Sequence, residues 1–186
     1  MALVLMDRDG VLNQDRTGSV RTPDELKMIP RAAEAVARLN AENIKVAIVT
    51  NQSVVGRGII DVAMLERIHA KLYDELARAG ARIDALFVAP DRPDAATERR
   101  KPGPGMLREA LSRFRASPAE TPMIGDSLGD LKAAAAAGCK RVLVRTGKGA
   151  LTQAAGLPPD VLPVAVHEDL WSAVDALLAA RTGASA

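Results

Sequence analysis

The stretch Ala2-Leu3-Val4-Leu5-Met6-Asp7-Arg8-Asp9-Gly10 decides the fold. Its apolar run has no polar break, is too short for a stable helix, and stops abruptly on charge, as a strand buried on both faces of a parallel sheet does. The pattern recurs along the chain. Residues 44–49 form a second apolar run that stops at Thr50-Asn51-Gln52-Ser53, 83–88 a third, and 122–124 a short one running into Gly125-Asp126. Residues 141–144 and 164–166 read as further strands. Helical spacing fills the gaps: Ala32, Ala33, Val36, Ala37 and Leu39 after Pro30 as first helical residue, then 62–79 with Leu65, Ile68, Leu72 and Leu76 on one face. Residues 103–114 open a helix directly after Lys101-Pro102, 128–137 an alanine-rich one closed by Gly138, and 170–180 the last. The alternation predicts an α/β fold with a doubly wound, mainly parallel sheet in a single domain over residues 1–186, of which 182–186 fray. Ligands of such sheets bind beyond the carboxyl ends of the strands, which is where the polar residues fall.

Composition narrows the function. Nearly half of the 186 residues are apolar (48%), enough for one core, while aromatics at 2% leave almost nothing to stack on bases or sugars. The 25 basic and 23 acidic residues are spread along the chain and give a net charge of +2, which does not mark a nucleic-acid surface. Cys139 is the only cysteine, so neither an internal disulfide nor a cysteine-rich zinc site can form. The start of the chain has no basic leader, and no apolar run nears the ~20 residues that span a bilayer. A soluble cytoplasmic protein with no membrane or nucleic-acid partner is expected, monomeric by default.

Four fragments carry chemistry. Asp7 and Asp9 are spaced to face one pocket, with Gly10 allowing the turn; their repulsion calls for a cation or a shared proton. Magnesium favours such hard oxygens together with phosphate, and carboxylates can act as nucleophiles that form aspartyl-phosphates. Thr50, after an apolar strand, either holds phosphoryl oxygens or caps a turn. Lys101, at a helix entrance, either places a fixed positive charge beside an anion-attracting N-terminus or is a solvated cation. In Gly125-Asp126-Ser127-Leu128-Gly129-Asp130 an acid again follows a strand and a second comes one helical turn later, so metal binding and helix capping by Asp126 both remain open.

In this order, the four fragments resemble the haloacid dehalogenase superfamily of phosphohydrolases: Asp-x-Asp-Gly, then Thr, then Lys-Pro, then Gly-Asp-x-x-x-Asp. The resemblance implies that Asp7 attacks phosphorus, and that Asp9 protonates the leaving oxygen and then deprotonates the hydrolytic water. It further implies that Asp7, the Asp9 carbonyl and Asp126 hold Mg2+, that Thr50 and Lys101 steady the phosphoryl group, and that Asp130 orients the cluster through hydrogen bonds. The spacing between motifs leaves no room for a large cap domain.

The wording Asp-Arg-Asp-Gly-Val-Leu-Asn, Thr50-Asn51-Gln52-Ser53, Gly56-Arg57-Gly58 and Arg100-Lys101-Pro102 resembles the D-glycero-D-manno-heptose 1,7-bisphosphate phosphatases, which serve lipopolysaccharide precursor synthesis. By that resemblance the partner is a small phosphosugar. Asn51, Gln52 and Ser53 contact sugar or phosphate, and Arg57 and Arg100 are candidates for the second phosphate. For Arg57 an exposed loop cation is an equal alternative. Many members carry a Cys/His zinc loop before Arg-Lys-Pro; residues 89–99 hold neither cysteine nor histidine, so no structural zinc is expected, and Pro90 and Pro93 are left to stiffen the loop. His69 and His167 read as structural or solvated. The competing readings are a histidinol-phosphate phosphatase, a non-catalytic phosphosugar-binding module, and a phosphatase of nucleic-acid ends, which the balanced charge and scarce aromatics oppose.

Overall fold

The computed structural model describes residues 1–183. Strands β1 (Leu3–Met6), β2 (Lys45–Asn51), β3 (Ala85–Ala89), β4 (Pro122–Gly125), β5 (Lys140–Val144) and β6 (Val164–His167) form one sheet in the order β3-β2-β1-β4-β5-β6. Every pairing is parallel. The chain works outward from β1 to β3 and then crosses back to β4 on the other side of β1. The reversal leaves a crevice past the carboxyl ends of β1 and β4, where open parallel sheets place their ligands.

The helices are α1 (Ala32–Ala41), α2 (Ser53–Gly56), α3 (Val62–Arg78), α4 (Gly105–Phe114), α5 (Leu128–Ala137), α6 (Gly149–Ala154) and α7 (Leu170–Gly183). Alternate strand residues serve opposite layers. Val4, Met6, Val46 and Ile48 belong to the cluster that includes residues of α1, α3 and α7, whereas Leu3, Leu5, Ala47 and Val49 join residues of α4 and α5. With both faces covered, each buried Leu or Ile contributes roughly 1.5–3 kcal/mol, and this is why the strands read as unbroken apolar runs. Helix α3 buries Leu65, Ile68, Leu72 and Leu76, and Asp61 caps it by accepting from the Met64 N–H at 2.7 Å. The guanidinium groups of Arg31 and Arg38 lie 3.6 and 4.4 Å from the centroid of the Trp171 ring, linking α1 to α7.

The sheet is wholly parallel, and no inserted cap separates the motifs among the described residues. Several boundaries differ from expectation. Pro30 lies outside α1, because Arg31 turns into the left-handed region (φ 62°) before the helix begins at Ala32. Strand β2 continues through Thr50 and Asn51, so these two residues end the strand rather than follow it. Helix α4 starts at Gly105, a turn beyond Lys101-Pro102. The short helices α2 and α6 carry too little periodicity to be seen in the sequence. Helix α7 takes in 182 and 183 of the tail expected to fray, and 184–186 lie outside the described residues. No helix among the described residues is long and apolar enough to cross a membrane.

Candidate active site

A cavity of about 270 Å³ opens at the sheet's reversal point, lined by Asp7, Asp9, Thr50, Asn51, Ser53, Arg100, Lys101 and Asp126 among others. Asp7 follows the last residue of β1, and its backbone N–H is fixed to the Ile124 carbonyl of β4 at 2.9 Å. Its Oδ1 accepts from the Arg8 N–H at 2.7 Å and lies 3.0 Å from the Lys101 ammonium. Lys101 is not the surface charge that a helix entrance would carry. It is buried, donates to the Val49 carbonyl at 2.7 Å, and sits 2.6 Å from Asp130 Oδ1, close but not aligned as a hydrogen bond. Burial opposes its charge, yet Asp130 and Asp7 outweigh it and raise the Lys101 pKa. Burial, helped by the carboxylates of Asp130, Asp126 and Asp9, pushes the Asp7 carboxyl up to about 7 against the pull of Lys101.

Asp9 is held differently. Arg8 Nη2 donates to both of its oxygens at 2.9 Å, Asn13 Nδ2 to Oδ1 at 2.9 Å, and Gln52 Nε2 to Oδ2 at 2.8 Å. Burial works against its ionisation, but Arg8, Asn13 and Gln52 prevail and hold its carboxyl below the usual range. The two acids of Asp-x-Asp, two residues apart, are thus driven in opposite directions, the pattern expected of groups with different chemical tasks.

Asp126 closes the crevice from β4. Its Oδ2 accepts from the Lys148 N–H at 2.8 Å, and burial and Asp130 push its carboxyl up to about 6. Helix α5 is capped by Ser127 and Asp130 reciprocally, so Asp126 is not the cap and its carboxylate is left for the cavity. Gly10 (φ 81°) and Gly147 (φ 57°) flank that carboxylate. A Cβ on either would stand 2.0 or 2.1 Å from Asp126 Oδ2, so both positions require glycine.

Asp7, Asp126 and Asp130 offer carboxylate oxygens within 4.8 Å of one another. Asp130 is fully buried, and its Oδ2 accepts from the Ser127 N–H and hydroxyl. That leaves Asp7 and Asp126 facing the cavity, two hard oxygen donors whose pKa values are raised by burial first and by neighbouring carboxylates second. This donor set fits Mg2+, and the residues present could hold it.

The remaining expected residues divide. Thr50 is buried, lines the cavity, and accepts from Gln52 Nε2 at 2.9 Å; the N-cap of α2 is Gln52, not Thr50. Asn51 lines the cavity and pins the Lys101 backbone in both directions, at 2.9 and 3.0 Å. Ser53 and Arg100 line it too, and Arg100 donates to the Asp91 carbonyl at 2.9 Å. Gln52, expected to meet the substrate, is instead buried beneath Asp9 and Thr50 and does not line the cavity. Arg57 is exposed and outside the lining, though near enough to depress the Arg100 pKa after burial and against Asp91. Ahead of Arg100, Asp91 accepts from both the backbone and the hydroxyl of Thr97, a clasp that holds the loop.

Sequence reasoning missed Arg8, Asn13, Asp15 and Lys148. Lys148 lines the cavity and pairs with Asp15 at 3.0 Å, while Thr146 donates to the Gly10 carbonyl at 2.6 Å. A signal was present: Arg145-Thr146-Gly147-Lys148 follows β5 as a polar stretch past a strand end. His69, expected to be structural or solvated, is buried against Arg8, with Nε2 3.2 Å from Nη1.

Comparison with known proteins agrees with this geometry. A family profile described as "HAD-hyrolase-like" matches residues 98–173. The chain is 44% identical to D-glycero-beta-D-manno-heptose-1,7-bisphosphate 7-phosphatase of Bordetella bronchiseptica, covering 96% of this chain and 98% of that one. It is 41% identical to the Pseudomonas aeruginosa enzyme of the same name, over 95% and 98%. A crystal structure of D,D-heptose 1,7-bisphosphate phosphatase from B. bronchiseptica, complexed with magnesium and phosphate, superposes with a TM-score of 0.92 at 44% identity over 97% and 99%. One from Burkholderia thailandensis reaches 0.73 at 40% identity over 96% and 99%. With its motifs set at the reversal point of the sheet and such identity over almost its whole length, the chain belongs to the D-glycero-beta-D-manno-heptose-1,7-bisphosphate 7-phosphatase family of HAD-like hydrolases.

Proposed function

We propose that this chain removes the 7-phosphate of D-glycero-β-D-manno-heptose 1,7-bisphosphate through an aspartyl-phosphate on Asp7, in lipopolysaccharide precursor synthesis. The observation that carries this reading is Asp7 itself: a carboxylate at the sheet's reversal point, paired with a buried lysine and facing Asp126 across a polar cavity. The relatives' names supply the substrate and its β anomer.

The Arg8 N–H and Lys101 occupy Asp7 Oδ1, which leaves Oδ2 to attack phosphorus. Asp9 gives a proton to the leaving sugar oxygen, and in the second half takes one from the water that cleaves the acyl-phosphate. Accepting four hydrogen bonds, Asp9 is poised as the carboxylate that the second half needs. Thr50 and Lys101 hold the phosphoryl oxygens, and Lys101 offsets the charge that would repel an anionic nucleophile. Bound by Asp7, Asp126 and the Asp9 carbonyl, Mg2+ would supply further charge neutralisation at the phosphoryl group. Asp130 holds Lys101 from behind. Asn51 and Ser53 border the sugar. Arg100, with Arg57 outside it, meets the second phosphate, which a bisphosphate requires and histidinol phosphate lacks.

The test is phosphate release from the heptose bisphosphate and from histidinol phosphate, each with magnesium and with chelator, using Asp7→Asn as blank. Magnesium-dependent release of one phosphate from the heptose is expected. Preference for histidinol phosphate would overturn the substrate, and no turnover of either would overturn the enzyme.

A further inference from the structure

Arg8 lies between the two acids of the nucleophile loop and is fully buried, a rare state for arginine unless it is paired. Its guanidinium has two anchors. Nη2 meets both Asp9 oxygens at 2.9 Å, and Nη1 lies 3.2 Å from His69 Nε2, while Nε is buried with no hydrogen-bond partner. Contact through one nitrogen leaves the guanidinium plane free to tilt about that point, so the second anchor sets the plane. Arginine only donates, so His69 Nε2 must accept, which places the ring proton on Nδ1 in a neutral imidazole. His69 stands on α3 beside Ile68, in the buried face that packs on the sheet, and this rigid support reaches Arg8 from 61 residues away.

We infer that His69 is a positioning residue for the hydrolysis: through Arg8 it fixes the orientation of the Asp9 carboxylate relative to Asp7. The inference rests on the reading of Asp9 as acid and base given above. Asn13 and Gln52 each hold one Asp9 oxygen, so the carboxylate would stay in the site without His69 but would lose its fixed plane.

The experiment compares His69→Leu with His69→Gln, whose amide oxygen can reach the position of Nε2 and accept from Arg8. The leucine variant should lose about tenfold in kcat with KM within about twofold, and glutamine should recover kcat to within about threefold of wild type. Unchanged kcat in the leucine variant would overturn the inference. So would equal loss in both variants, since packing alone would then account for it. Should the leucine variant fail to fold, the wild-type ring decides: nitrogen-15 shifts at neutral pH must show Nδ1 protonated and Nε2 bare, and the reverse tautomer or an imidazolium refutes the pair. Absence of wild-type turnover would count against the proposed reaction, while the ring shifts would still report whether His69 holds Arg8.

Discussion

Replacing Lys101 by methionine keeps the bulk of the stem and deletes the charge. The ammonium lies 3.0 Å from Asp7 and 2.6 Å from Asp130, and the Lys101 side chain is only 3% exposed. At an effective dielectric constant of about 20, each separation corresponds to roughly 5–6 kcal/mol of attraction. Desolvation of the three groups offsets much of that, so breaking the cluster should cost about 3–5 kcal/mol, as for other buried charges stripped of a partner. The cost should depend on pH with a definite sign. The folded pKa of Asp7 is already raised, and losing Lys101 raises it further. A carboxyl raised in this way stabilises fully below its unfolded pKa and loses that stability as pH rises through the folded value. In the metal-free protein at about pH 5.5, Asp7 is mostly protonated with or without Lys101, so only the Asp130 pairing is lost. At about pH 8 the wild type keeps an ionised Asp7 against Lys101, whereas the variant must hold the proton against solvent. Urea unfolding in chelator should therefore show a deficit larger at the higher pH by about 1 kcal/mol or more. Turnover with magnesium should fall by about 10²–10³-fold. A deficit that is the same at both pH values, or a variant as stable as wild type, would refute the reasoning.

Further outcomes follow from the same geometry. Burial and Arg8 lower the His69 pKa to about 4, so its contribution is present above about pH 6.5 and lost as pH falls through about 4, roughly 3 kcal/mol in all; urea titrations of the wild type should show this loss and His69→Gln should lack it. Gly147→Ala would put a Cβ 2.1 Å from Asp126 Oδ2 at a φ of 57°, so magnesium affinity measured by calorimetry should weaken by about tenfold or more and stability should fall by about 1–3 kcal/mol. Arg100→Ala should raise KM for the bisphosphate about tenfold with little change in kcat, while Arg57→Ala, outside the cavity, should change KM by only about twofold; steady-state kinetics on purified variants separates the two.

The candidate acids Asp7 and Asp126 were legible in the sequence because each follows an apolar strand, and the strand is itself the signal. Asp7 and Asp126 needed only local reading, since β1 and β4 are buried on both faces and the chain must turn where the apolar run stops. The layers on either side of the sheet followed from the same runs, and the α3 face from its helical period. Lys101 was legible as a member of the site but not in its setting. A helix entrance left it either beside an N-terminus or in solvent, whereas α4 begins four residues later and the lysine is drawn under Asp7 by Asp130 and the Val49 carbonyl, contacts made across the fold. Gln52 fails for a related reason: adjacent residues of Thr50-Asn51-Gln52-Ser53 leave the end of β2 in different directions, and only the fold shows that Gln52 turns inward to Asp9. Arg8 with His69, Thr146 with Gly10, and Lys148 with Asp126 are separated by 61, 136 and 22 residues, and none has a period or a spacing that would announce it. Asp7 and Asp9 share a strand end and a turn, yet burial and the carboxylates of Asp130 and Asp126 push one up, while Arg8 and Asn13 of the same loop, with Gln52 from beyond β2, hold the other down. The local sequence therefore specifies where the candidate site sits and most of what holds Asp9, and the topology of the sheet supplies the burial and the carboxylates that raise Asp7.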